Sequence, residues 1–121
     1  MSRRAKKTSY STGIAAEALC RLALRLKGYG IVAVRYKSKL GEIDIIARRG
    51  HSLALIEVKA WPSRDMAAGA IIKHQRDRLE RAAEDFIARH PKFARHRLRF
   101  DVMLVAPWSW PVHIRDAWRP E

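Results

Sequence analysis

Residues 41–60, GEIDIIARRGHSLALIEVKA, constrain the fold more than any other stretch. Two aliphatic runs flank Gly50-His51, and glycine in the first central position suits a two-residue type II′ hairpin turn. With that turn, cross-strand partners carry numbers summing to 101, so Asp44 is expected opposite Glu57 and Glu42 opposite Lys59. Side chains alternate along a strand, which puts these four on one face and Ile43, Ile45, Ile56 and Val58 on the other. Carboxylates crowded with an ammonium in an apolar hairpin cost stability unless something cationic binds there. A divalent metal meets that need. The competing reading is a sheet edge where the carboxylates simply pair with Lys59. It is the weaker one, because a solvent-facing strand carries more polar residues than LALIEVKA does.

The rest of the chain frames this hairpin. Residues 1–10 form a basic segment without periodicity, expected to be a flexible arm along a phosphate backbone or a solvated tail. Residues 11–121 are expected to form one domain. From Ser11 to about Lys27, Ile14, Ala18, Leu19, Leu22, Ala23 and Leu26 recur at helical spacing, and Gly28 suits a left-handed stop. Glu17 lies beside that apolar stripe. It either stays solvated near the positive end of the helix dipole or reaches over the hairpin face to complete an acidic cluster. A short strand, IVAVRY, and a basic loop, residues 37–41, lead into the hairpin. After it, Trp61-Pro62 breaks the strand. Trp61 could stack on a base there, but packing at the core or rim is the more economical reading.

A second helix is expected from roughly Ala70 to His90, with Ile72, Gln75, Leu79, Ala82, Ala83, Phe86 and Ile87 facing inward. Two strands follow, Leu98 to Ala106 and Val112 to Ala117. Asp101 shares a face with Arg99, so an ordinary ion pair explains it. The order α-β-β-β-α-β-β predicts an α/β fold with a mixed sheet flanked by helices. The second helix serves as a right-handed crossover that brings the fourth strand in parallel to the third.

Charge narrows the partner. The chain has 25 basic against 12 acidic residues, net +13, and seventeen of the basic ones are Arg. The planar guanidinium fork matches phosphate, so nucleic acid leads over solubilising charge or an acidic protein partner. One cysteine, Cys20, excludes an internal disulfide or zinc knuckle and suits a reducing cytoplasm. No run approaches the ~20 apolar residues of a membrane span. The five histidines lack His-Glu-x-x-His spacing, and no Gly-rich phosphate loop occurs. Trp108, Trp110 and Trp118 read as packing before stacking. Glu-x-Lys alone says little, since chance supplies roughly 0.4 occurrences with six Glu and eight Lys. Its placement in an apolar strand beside Asp44 is what carries information.

Asp44, followed by Glu57-Val58-Lys59 on the next strand, resembles the PD-(D/E)xK nuclease signature, with Ile43 where that signature has proline. More closely, the chain resembles the YraN-like bacterial family of predicted endonucleases, similar in turn to archaeal Holliday junction resolvases. The matching pieces are Thr12-Gly13 with Glu17, Gly28-Tyr29, Gly41-Glu42-Ile43-Asp44, Glu57-Val58-Lys59, Gly69, Lys73, Arg78-Leu79, Arg99-Phe100-Asp101-Val102 and Asp116-Ala117. Ala60-Trp61 stands where many relatives carry Thr-Arg. The resemblance implies a restriction-endonuclease-like single domain and a metal-dependent DNA endonuclease acting on branched DNA, with a homodimer suited to a symmetric junction.

On this reading Asp44 and Glu57 hold Mg2+ or Mn2+, hard ions that prefer oxygen. Lys59 orients water or stabilises developing charge. Glu17, suggested also by the junction-resolving relatives, is the favoured further ligand and catalytic residue, with Glu42 and Gln75 secondary. Arg35, Lys37, Lys39, Lys73, Arg76 and Arg78 are expected to hold phosphates. The alternative is a non-catalytic nucleic-acid-binding module that keeps the fold and the charge.

Overall fold

A computed structural model describes residues 3–60, 73–107 and 109–120, with the side chains of residues 3–12, 73 and 74 outside that description. Helix α1 spans Arg3–Leu26, so helical backbone starts ahead of the Ser11 expected from periodicity. It ends as anticipated. Gly28 takes a φ of +91°, the Tyr29 N–H bonds the Leu24 carbonyl, and the Gly28 N–H bonds that of Arg25. This pair of reversed bonds satisfies carbonyls that the helix terminus would otherwise orphan.

Strands β1 (Gly30–Lys37), β2 (Glu42–Arg49) and β3 (Ser52–Ala60) form an antiparallel meander. The second helix, α2, spans Lys73–Arg89. After a short 3-10 turn at Pro91–Phe93 come β4 (Arg97–Val105) and β5 (Val112–Trp118). The five strands lie in sequence order, with β4 parallel to β3 and the other pairs antiparallel. This is the α/β arrangement and element order expected of a restriction-endonuclease-like domain. Residues 61–65 with Trp61, the Gly69 match and Trp108 lie outside the described residues.

The helices bury opposite faces of the sheet. Leu79, Ala82, Ala83 and Phe86 of α2 pack with Ile46, Leu53, Leu55, Phe100 and Val102. Cys20, Ala23 and Leu24 of α1 pack with Ile45, Ala47, Ala54, Ile56 and Met103. Leu53, Ala54, Leu55 and Ile56 are all fully buried, because β3 is covered on both sides. The turn and register of the hairpin are those anticipated. Gly50 has φ +61°, and the pairs Arg49↔Ser52 through Ile45↔Ile56 all sum to 101.

One expected facing is corrected. Ile45, Ile56 and Val58 do face α1, whereas Ile43 packs in the α2 cluster. The alternation breaks at Asp44. Across from it in β1 lies Arg35, flanked by the pairs Val34↔Ile45 and Tyr36↔Ile43. Arg35 is a non-glycine residue at φ +54°, a left-handed conformation that turns a strand. Past that point Tyr36 and Ile43 both join the α2 side, where Tyr36 meets Phe86 edge-on and donates its hydroxyl to Asp85.

At β4 and β5, Asp101 is fully buried. It accepts two bonds from Arg99 at 2.8 and 2.7 Å, one from the Asp116 N–H at 2.9 Å, and lies 2.7 Å from His113 Nε2. The Arg99 pairing read from the sequence is therefore one part of a larger network, which also takes in the Tyr29 hydroxyl. Asp116 sits at φ +54° where the β4–β5 register shifts, so the Asp101 carboxylate pins an irregular strand edge. Burial works to raise the Asp101 carboxyl, but His113, Arg99 and the Asp116 N–H together hold it below the usual range. Stability from such a group is complete above the unfolded-state value of about 3.9 and is lost as pH falls through the lower folded value. Asp101→Asn is expected to lower the urea unfolding free energy by about 3 kcal/mol at pH 7, as Arg99 loses its countercharge. The gap from wild type should close as both proteins are taken toward pH 2. A constant gap across that range contradicts the assignment.

Candidate functional site

Where β2 and β3 lose their backbone ladder beyond Ile45↔Ile56, a side chain replaces it. One Asp44 carboxylate oxygen accepts the Val58 N–H at 2.8 Å. The strands are thereby held together through a carboxylate and not through a main-chain pair. The expected pairing of Glu42 with Lys59 is corrected by the same feature, since Glu42 pairs across β1 with Lys37.

The carboxylates nevertheless converge. Glu42, Asp44 and Glu57 line one pocket of about 240 Å³ together with Gln75, Arg78 and Leu79 of α2. The helix is set close over this end of the sheet by Gly41. A Cβ built there would come within 2.6 Å of the Arg78 carbonyl oxygen, so any larger residue must push α2 away. Lys59 Nζ lies 3.5 Å from Glu57 Oε1, both side chains mostly covered.

Burial raises the Asp44 carboxyl, the charge of Glu57 raises it further, and the Val58 N–H pulls it back. Glu17 and Glu42 add smaller upward pushes, and the carboxyl ends pushed up to about 7. The Glu57 carboxyl is also raised, by burial first, with Lys59 opposing. A cluster of this kind favours uptake of protons or of another cation.

Glu17 occupies the α1 side of this cluster, and its carboxylate accepts Arg35 Nε at 2.8 Å. The sequence assigned Glu17 to metal and Arg35 to phosphate; the fold brings the two to each other. That partnership has no local sequence signal, because it joins a helix to an edge strand whose left-handed residue is not glycine. The Cys20 thiol is pushed up to about 12, by burial first and then by Glu17 and Asp44. It is a buried free cysteine packed between α1 and the sheet.

Of the remaining expected residues, Gln75 and Arg78 line the pocket. Arg76 is partly covered, with Nε buried. Lys37 and Lys39 are exposed at the end of β1 and the following loop. The Lys73 side chain lies outside the described residues. His113 belongs to no motif in the sequence, yet its side chain is 1% exposed against Asp101. The available signal was an Asp in the otherwise apolar run FDVMLV, which needs buried partners.

The donors in the pocket are carboxylate oxygens, the chemistry a hard divalent ion requires. Among the described residues, no three His, Cys, Asp or Glu side chains are drawn closely enough to enclose an ion. Two carboxylates with retained waters remain a sufficient set for magnesium-type binding. Among the described residues no helix is long and apolar enough to cross a membrane.

A carboxyl raised on folding carries a penalty when ionised, absent below the unfolded value of about 3.9 and complete above about pH 7. Asp44→Asn keeps an acceptor for the Val58 N–H and removes the charge. In metal-free buffer it should therefore melt higher than wild type at pH 8, with the advantage gone by pH 4. Equal melting at both pH values, or a less stable variant at pH 8, contradicts this.

The profile of the Uncharacterised protein family UPF0102 matches residues 16–105, which include every carboxylate of the pocket. A UPF0102 protein of Parvibaculum lavamentivorans is 53% identical over 112 residues, covering 93% of this chain and 84% of the relative. One from Paramagnetospirillum magneticum is 48% identical over 120 residues, covering 96% and 93%. Another, from Sinorhizobium medicae, is 49% identical over 105 residues, covering 87% and 86%. The chain thus belongs to the UPF0102 family, the YraN-like group that its motifs resemble.

Proposed function

We propose that the chain is a metal-dependent DNA endonuclease that hydrolyses phosphodiester bonds in branched or otherwise non-duplex DNA, using Mg2+ or Mn2+. The observation that carries this reading is the convergence of Asp44 and Glu57 in one pocket with Lys59 beside Glu57. The branched substrate rests on the resemblance to junction resolvases, and a homodimer would match a two-fold junction.

A divalent ion bound there supplies an activated water and offsets charge on the scissile phosphate. Asp44 holds its share of the site in a fixed direction, because one oxygen is committed to the Val58 N–H. Glu57 presents its carboxylate from the neighbouring strand, and Lys59 Nζ stands where it can orient the attacking water or stabilise negative charge. Arg78 on the pocket rim, with Lys37 and Lys39 beyond it, binds flanking phosphates, so affinity falls with added salt. A phosphate drawn to Arg35 competes with Glu17 for the same guanidinium. Release of Glu17 then adds a further carboxylate near Asp44, beside Glu42 and Glu57.

A second reading is a nucleic-acid-binding module that retains the fold without cutting. The engagement of Glu17 by Arg35 and the lack of a three-residue cage among the described residues favour it. The decisive assay incubates purified protein with junction, flap and duplex DNA in magnesium or manganese. Wild type should nick the branched forms. Asp44→Ala and Glu57→Ala should abolish nicking while shifting the same DNA in gels. Binding without cutting by wild type selects the module; undiminished cutting by both variants means a contaminating nuclease.

A further inference from the structure

A second pocket, of about 520 Å³, opens at the opposite end of β3 and β4, lined by Arg97, Leu98, Arg99, Phe100, Asp116, Trp118, Arg119 and Pro120. Its size falls within the roughly 300–1,000 Å³ range of small-molecule sites. Arg97 pairs with Ser52, five positions before Glu57 on β3, which separates this pocket from the carboxylates by about 17 Å of strand. Nothing in the proposed reaction uses it.

Its chemistry is mixed in an informative way. The Arg97 guanidinium is exposed and has no ion-pair or hydrogen-bond partner among the described residues. Arg99 and Arg119 are held by Asp101 and Asp116, so these two cations are oriented in advance. Leu98 is 40% exposed beside them, and the Trp118 ring, stacked on Phe100 at 5.2 Å, forms a rigid wall. Trp118 is 9% exposed, and its Nε1–H is buried with no acceptor among the described residues. The Asp116 carboxylate supplies an acceptor on the same wall.

We infer that this pocket binds one nucleotide unit: a phosphate at Arg97 and Arg119, and a base against Leu98, Trp118 and Pro120. A simple anion would leave the apolar wall unused, whereas an apolar ligand would leave Arg97 unmatched. A base carries both a flat apolar face and a polar edge whose N–H groups the Asp116 carboxylate can accept. The unit comes either from a free nucleotide or from a nucleic-acid strand, and the chemistry recognised is the same.

The test follows the Trp118 indole N–H resonance of the full chain, assigned through Trp118→Phe, in EDTA buffer. The probes are adenosine monophosphate, a 5′-phosphorylated single-stranded hexanucleotide and inorganic phosphate. A saturable shift with the monophosphate is expected, at least tenfold weaker in Arg97→Gln and unchanged in Asp44→Asn. A shift with the hexanucleotide alone assigns the unit to a strand and equally supports the pocket. No shift with either nucleotide probe overturns the inference, as does equal affinity for inorganic phosphate or an undiminished response in Arg97→Gln. Because the readout is metal-free and insensitive to Asp44, it stands or falls apart from nuclease activity.

Discussion

The bond from the Val58 N–H to the Asp44 carboxylate is the contact on which the site depends. It occurs where the hairpin ladder runs out, and it lets two strands separate without leaving a buried amide orphaned. Separation opens room for Glu57 and Glu42 to face the same pocket. The same bond stabilises the charged form of Asp44, yet burial and the neighbouring carboxylates outweigh it. The site is accordingly held in a state that resists ionisation, and a bound cation would relieve that strain. Structure and electrostatics are coupled through one donor.

The surrounding fold preserves this opening from three directions. Gly41 allows α2 to approach within van der Waals distance and to place Gln75 and Arg78 on the pocket. Left-handed Arg35 turns the end of β1 and β2 toward α2 and brings its own guanidinium to Glu17. The helices α1 and α2 bury the middle of β3 on both faces, so Glu57 and Lys59 emerge only where the strand nears its end. Packing energy in the centre supports strain at the rim, a common division in functional sites.

Much of this was readable from residue order. A glycine in the right turn position fixed the hairpin register, and a slip by one residue would swap Leu53 and Leu55 from the α2 side to the α1 side of the sheet. Helical spacing and Gly28 located the end of α1, and the helix between the third and fourth strands implied the parallel crossover. Strict alternation failed at Ile43 because the left-handed residue opposite the neighbouring Asp44 is an arginine, for which no local pattern exists. Pairings between distant segments were equally hidden: Glu17 with Arg35, and Asp101 with His113. Trp118 was taken as ordinary packing just past the last strand. Its packing is borne out in the α2-side core, and the fold also makes it the final residue of β5, with its indole N–H buried.

The most direct test of the account is a calorimetric titration of wild-type protein with Mn2+ at pH 6 in buffers of different ionisation enthalpy. With the Asp44 carboxyl pushed up to about 7, most molecules carry a proton there at pH 6. Ion uptake should therefore release about one proton per chain, and both uptake and release should be lost in Asp44→Ala. Uptake without proton release, or uptake that survives the loss of Asp44, contradicts the idea that these crowded carboxylates are a cation site.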